Sequence, residues 1–178
     1  HVCEAMLALY QATSDAVYLQ RAAKLYDMFR TRFFDRKSKT LGEYFTRDWQ
    51  PLAGPQGQIV EPGHHFEWSW ILHGYGKLAS DNTAHEIAHQ AYEFAYTHGI
   101  DPQSRLTYDE IDRDGKPLRA SHRLWPQTEA LKAFIAAAEC APHEPARTHA
   151  HSQIAPTVDA IFSNYFIICK KGADSVTG

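Results

Sequence analysis

The chain has 178 residues, 44% hydrophobic and 12% aromatic. That composition suits one folded domain with a real core and excludes a disordered chain. A formal charge of -3 and a pI near 6.4 exclude the basic footprint of a nucleic-acid or anionic-membrane binder. No apolar run approaches the roughly 20 residues that span a bilayer, and the N-terminus lacks a signal-peptide pattern. Cys3, Cys140 and Cys169 are odd in number and far apart, with no C-x-x-C. They read as reduced thiols in a cytoplasmic protein.

In chain order, residues 1–12 form a first predicted helix. Asp15 to Phe34 form a second, opened by a Ser14-Asp15 cap, with Val17, Leu19, Ala22, Ala23, Leu25, Tyr26, Met28 and Phe29 at helical spacing. The polar stretch Asp35 to Leu52 comes next, then a helix over 64–79. Asp81 to Ile100 repeat the helical pattern with Ile87, Ala88, Ala91, Tyr92, Phe94 and Ala95. The stretch Asp101 to Leu118 holds a tight-turn signal at Asp114-Gly115, flanked by Leu106, Tyr108 and Ile111, which predicts a short hairpin. The last predicted helix covers 125–140. Residues 141–178 read as a diverged or poorly ordered segment, with His143, His149 and His151 in loop-like surroundings.

Shifting the sequence by 66 residues superposes Asp15 on Asp81, Ala22 on Ala88, Tyr26 on Tyr92 and Asp35 on Asp101. It also superposes Ser38 on Ser104, Arg47-Asp48 on Arg113-Asp114, and Pro51-Leu52 on Pro117-Leu118. Self-similarity at a fixed period signals stacked supersecondary units. Helix pairs separated by long connections at a regular period describe an all-α array that forms a solenoid or a toroid. In a toroid the helices beginning at His1, His64 and Trp125 are the inner set, so the chemically richest segments share one face. The repeated Arg-Asp pairs read as hairpin turns, and Tyr26 and Tyr92 as packing.

The eleven histidines are too many for one site, so position must select among them. The segment Glu61-Pro62-Gly63-His64-His65-Phe66-Glu67-Trp68-Ser69-Trp70 does so. His64 and Glu67, three residues apart at a helix start, share a face. The positive end of the helix dipole disfavours a second positive charge there, so His64 is expected to be neutral near pH 7 and able to accept a proton. Trp68 and Trp70 add flat apolar surface. Zinc ligation by His64, His65 and Glu67 is disfavoured. Adjacent helical residues point about 100° apart, and H-x-x-E is not the H-E-x-x-H signature.

EPGHHFEWSWIL (61–72), RLWPQTEALKA (123–133), DEIDRDGKPL (109–118) and HVCEAMLALYQAT (1–13) together resemble the N-acylglucosamine 2-epimerase family, which includes mannose isomerases. The resemblance runs from residue 1 to about 140. It implies an incomplete (α/α)6 toroid with short β-hairpin connections, and a sugar bound in the central cavity. It casts His64 as a proton-transfer base and Glu67 as the carboxylate that touches substrate and orients the imidazole. Trp125, Gln127 and Glu129 would line the cavity, and His1 would contact substrate. A second proton-transfer histidine of the family, in a tyrosine–histidine context, has no counterpart here, and the sequence reads as an internal portion of a longer relative.

Aldose–ketose isomerisation moves a proton from sugar carbon 2 to carbon 1, which one base can do on one face of a cis-enediol. Inversion at carbon 2 needs a base on each face. Neutral histidine suits either, and Arg123, Gln127 or His1 could donate to the enediolate oxygen. Trp68 or Trp125 would wall the sugar. The reading is a sugar isomerase interconverting mannose, or mannose 6-phosphate, with the fructose form, without cofactor or metal. The alternatives are a 2-epimerase, an inactive carbohydrate-binding remnant and a helical-repeat interaction protein. No phosphate-binding loop separates free from phosphorylated sugar. Open helix faces predict self-association into a homo-oligomer.

Overall fold

The computed structural model describes residues 1–166. Cys169 and the end of the tail, 167–178, lie outside the described residues. The inner helices are α1 (Val2–Thr13), α3 (Pro62–Ala79) and α5 (Leu124–Cys140). The outer helices are α2 (Ala16–Met28) and α4 (Asn82–His98), followed by α6 (Glu144–Ser152) and α7 (Ile154–Tyr165) against α5. Helix α3 is the hub, touching α1, α2, α4 and α5.

The 66-residue period is visible bond by bond. Helices α1 and α3 both end on a left-handed serine, Ser14 (φ 59°) and Ser80 (φ 55°). In each case the next residue caps the succeeding helix. Asp15 accepts from the Val17 N–H at 3.0 Å and Asp81 from the Ala84 N–H at 3.1 Å, satisfying donors that a helix start leaves free. Strands β1 (Phe34–Asp35) and β2 (Thr40–Leu41) pair with Phe34 opposite Leu41, and a bridge joins Phe45 to Pro51. Sixty-six residues on, Ile100 bridges Thr107, and β3 (Glu110–Ile111) pairs with β4 (Pro117–Arg119), Ile111 opposite Pro117. Asp35 accepts from the Lys37 N–H and the Ser38 hydroxyl, and Asp101 from the Gln103 N–H and the Ser104 hydroxyl. The Arg47-Asp48 and Arg113-Asp114 pairs occupy the tips of the second hairpins, as expected.

The core has two main parts. One gathers Leu7, Ala22, Phe29, Ile71, Leu72 and Ile87 between α1, α2, α3 and α4. The other gathers Phe66, Tyr92, Ala130 and Phe134 between α3, α4 and α5, with Phe66 and Phe134 edge to face at 5.7 Å. Tyr26 and Tyr92 are packing residues, 4% and 3% exposed.

Two boundaries differ from expectation. Helix α2 stops at Met28 and continues as a π-helical turn, Phe29–Phe33. The wider winding sets Phe29 on Trp68 (4.1 Å between centroids) and Phe33 against Phe45 and Trp49. Residues 144–165, expected to be loop-like, are the helices α6 and α7. Their prolines, Pro145 and Pro156, sit in first turns where no N–H is required. Ala150, Ile154, Thr157 and Ile161 form a helical stripe on the packed side. His143 caps α6 by accepting from the Ala146 N–H at 3.3 Å.

Candidate active site

Helices α3 and α5 begin side by side. Pro62 opens α3 with the fixed φ that a first helical position favours. Gly63 stands next to it because a Cβ there would meet the Trp125 ring at 2.7 Å and Pro126 at 2.9 Å. That contact brings the Trp125 ring to 5.0 Å from the His64 ring, centroid to centroid.

His64 is 36% exposed at its side chain, while His65 is fully buried. His65 therefore belongs to the frame. Its Nε2 accepts from the Leu41 N–H at 2.9 Å, so the proton sits on Nδ1, 3.3 Å from the Glu61 carbonyl. Burial pushes its pKa down to about 4, which keeps it neutral. The zinc trio of His64, His65 and Glu67 is not formed, because His65 faces inward.

His64 Nδ1 donates to Glu43 Oε2 at 2.9 Å. A carboxylate can only accept, so the neutral ring carries its proton on Nδ1 and presents the Nε2 lone pair. Glu61 Oε2 is 3.9 Å from the same nitrogen. Burial acts to lower the His64 pKa. The hydrogen bond and charge of Glu43, with Glu61 and Glu67 nearby, outweigh it and hold the pKa above the ordinary histidine value. This corrects the expectation of a firmly neutral ring, because the three neighbouring carboxylates favour the charged form. It also corrects the partner, because Glu43 orients the imidazole and Glu67 does not. Glu67, 7% exposed, lies one turn along α3 with Oε1 3.0 Å from His1 Nδ1.

Glu43 sits in the first hairpin connection, outside every residue that the sequence motifs single out. The signal that points to it is the 66-residue shift, which places it on Asp109, another acid. Both carboxylates accept from the backbone N–H of the residue that caps the next inner helix: Glu43 from Glu61 at 3.1 Å, Asp109 from Arg123 at 2.7 Å.

Arg123 is held by Asp109 Oδ1 (3.0 Å) and Glu61 Oε2 (3.1 Å) and lies 5.5 Å from the Trp125 ring centre. Burial opposes ionisation of Asp109, but hydrogen bonds from Ser121 and Arg123 hold its pKa below the usual carboxylate value. Burial raises the pKa of Glu61, with Glu43 adding and His64 and Arg123 opposing.

His64, Arg123 and Trp125 are thus brought together with Glu43 and Glu61, and His1 joins Glu67 beside them. Glu129, 8% exposed, accepts from Trp70 Nε1 and pairs with Lys132, both at 2.8 Å, with the Lys132 ammonium 4.3 Å from the Trp70 ring centre. Two sequence-chosen residues belong to the frame. Trp68 is partly buried and stacked on Phe29 against the core. Gln127, 1% exposed, gives both ends of its amide to the backbone: Oε1 accepts from the Thr107 N–H, and Nε2 donates to the Thr107 and Arg123 carbonyls. Ligand-type atoms of Glu43, Glu61 and His64 lie within 4.8 Å of one another and could hold a cation.

Among the described residues no helix is long and apolar enough to cross a membrane. A mannose-6-phosphate isomerase of Rhizobium meliloti (strain 1021) is 35% identical over 137 residues, covering 76% of this chain and 35% of that protein. A D-mannose isomerase of Marinomonas mediterranea is 26% identical over 145 residues, covering 75% and 36%. The chain therefore spans about a third of the length of the curated relatives it matches. Among solved structures, a D-mannose isomerase superposes with a TM-score of 0.73 at 23% identity, over 89% of this chain and 40% of that one. The cellobiose 2-epimerase of Bacillus thermoamylovorans B4167 gives 0.73 at 23% identity, over 88% and 38%. These show the fold, an arc of the (α/α)6 toroid. The profile of the family described as N-acylglucosamine 2-epimerase (GlcNAc 2-epimerase) matches residues 1–173, past the end near residue 140 that the motifs implied. The chain belongs to the N-acylglucosamine 2-epimerase family.

Proposed function

We propose that this chain carries one proton-transfer half of a sugar isomerase site, moving a proton between carbon 2 and carbon 1 of a hexose. The observation that carries the reading is the His64–Glu43 pair at 2.9 Å beside the Trp125 ring. An exposed imidazole nitrogen is aimed away from its orienting carboxylate, next to a flat wall for the C–H face of a sugar. His64 removes the carbon 2 proton and returns it to carbon 1 while the O2 hydroxyl proton passes to O1 through the enediol, and Glu43 stabilises the imidazolium in between. Glu67, held at His1, is the candidate hydrogen-bond acceptor for a sugar hydroxyl. Arg123 is already shared by two carboxylates, and the charges nearest His64 are acidic. This end suits the uncharged C1–C2 end of a hexose, and a phosphate, if present, would be met elsewhere.

Isomerisation of mannose to fructose is supported by the 35% identical relative, a mannose-6-phosphate isomerase. A 2-epimerase is the second reading, supported by a cellobiose 2-epimerase of Bacteroides fragilis that is 28% identical over 81 residues. The test is incubation with mannose and with mannose 6-phosphate in deuterated water, monitored by NMR, with His64→Ala as control. Label uptake with a fructose product, lost in the variant, supports the isomerase and names its substrate. Uptake with only the carbon 2 epimer supports the second reading, and exchange that persists in His64→Ala contradicts both.

A further inference from the structure

At the far end of α3 a second cluster of chemically capable side chains serves no part of the site above. His73 lies nine residues beyond His64, roughly 14 Å along the helix axis. It is 6% exposed, and its Nδ1 is 3.1 Å from Nδ1 of His85, in the first turn of α4. Cys140, the last residue of α5, completes a trio whose ligand atoms all lie within 4.8 Å of one another. All three line a cavity of about 280 Å³.

Packing holds the two rings in place. A Cβ at Gly76 would meet His85 Nε2 at 2.7 Å, so the absent side chain lets that ring lie on α3 with Nδ1 toward His73. Two more histidines, His89 and His149, line the same cavity. So does Tyr92, 3% exposed, whose hydroxyl has no partner among the described residues. That hydroxyl is left to meet a ligand or its water in the cavity.

We propose that His73, His85 and Cys140 bind a zinc-type divalent cation through two imidazole nitrogens and one thiolate. Nitrogen and sulfur donors select a borderline-soft metal over magnesium or calcium. Zinc–nitrogen bonds of about 2.0–2.1 Å put tetrahedral nitrogens roughly 3.3 Å apart, close to the 3.1 Å observed. With every pair already within 4.8 Å, closing the trio to zinc-bonding distances requires a shortening of at most about 1 Å. A fourth ligand would come from water or from the cavity lining, which includes His89 and His149. Burial holds the Cys140 thiol above its ordinary pKa, against the nearby Lys77 ammonium, so the metal itself must displace the thiol proton on binding. The metal would pin inner helix α3, outer helix α4 and inner helix α5 to one another at the end opposite His64. Its role is to clamp the array.

Cobalt(II) titration of the reduced full chain tests this directly. The expected result is one equivalent bound, with tetrahedral d–d bands and a sulfur-to-cobalt charge-transfer band that zinc abolishes. Cys140→Ser should remove the charge-transfer band, and both it and His85→Asn should weaken binding at least about 100-fold. The sulfur band separates this trio from cation binding at Glu43, Glu61 and His64, which hold no thiol. Should either variant fail to fold, zinc protection of Cys140 from alkylation in the unaltered chain, read by peptide mass spectrometry, gives the same answer. A sulfur band that survives Cys140→Ser, no sulfur band at all, or equal alkylation with and without zinc would overturn the proposal.

Discussion

Two units of this molecule, the first hairpin with α3 and the second hairpin with α5, meet the same structural demand with different side chains. In each, a backbone N–H in the hairpin, of Leu41 or Thr107, must be satisfied inside the protein. The fourth residue of the succeeding helix does it: His65 in one unit, Gln127 in the other. Each also returns a contact to the carbonyl four residues back, Glu61 or Arg123. The units also diverge at the acid. Both Glu43 and Asp109 accept from a capping-residue N–H. The second oxygen of Glu43 reaches an exposed imidazole, while that of Asp109 takes the Ser121 hydroxyl at 2.6 Å. On the proposed function, one frame is turned to chemistry and its copy is closed on itself. A functional residue is therefore better recognised by its departure from the repeat than by its conformity to it.

The largest break in this comparison should come from His64→Ala. The second unit has no imidazole at the matching place, where Pro126 stands, so nothing compensates. Carbon 2 exchange should fall by about 10²- to 10⁴-fold, with an unchanged circular dichroism spectrum.

Next come the two buried staples. Either His65→Ala or Gln127→Ala leaves a hairpin N–H unsatisfied, which should cost about 2–4 kcal/mol in urea unfolding. His65→Gln, which copies the second unit's solution, should lose less than half as much at pH 7. Equal losses for His65→Ala and His65→Gln would deny that the two positions are equivalent.

The staples also differ in acid. His65 has a folded pKa of about 4 against about 6.5 unfolded. The unfolded state therefore binds the extra proton, and stability rises with pH across that window. This contribution is fully present above about pH 6.5 and is lost as pH falls toward 4, on the order of 3 kcal/mol. Burial also pushes His73 down, to about 3, and steepens the same acid slope. Glutamine does not titrate, so His65→Gln should flatten the urea-measured stability between pH 6.5 and 4, and Gln127→His should steepen it.

The smallest effect is expected from Arg123→Ala. That guanidinium is 44% exposed, so its two ion pairs and its stacking on Trp125 should together contribute no more than about 1 kcal/mol, measurable as a melting shift of a few degrees.

Much of the frame was legible because it is periodic. Caps at Asp15 and Asp81, hairpins around Arg47-Asp48 and Arg113-Asp114, and the inner helices at 64 and 125 come from local pattern and a fixed shift. The C-terminal helices were not, because Pro145 and Pro156 read as breakers unless their place in a first turn is known. At the site, His64 stood out by motif. Glu43 did not, since a lone glutamate in a polar connection carries no local signal and its partner is 21 residues away. Gln127 misled for a related reason. Its match to His65 is offset by 62 residues, not 66, because the connection leading to α5 is four residues shorter. Trp68 shares the helix of His64, yet the π-helical turn after α2 delivers Phe29 to it.

The most direct test of the account is an NMR titration of the His64 ring in the unaltered chain and in Glu43→Gln. A pKa above the ordinary histidine value is expected in the former and a clear fall in the latter, with the proton held on Nδ1 of the neutral ring. An ordinary pKa that does not respond to Glu43→Gln would contradict it, and would leave His64 an exposed helix-start histidine.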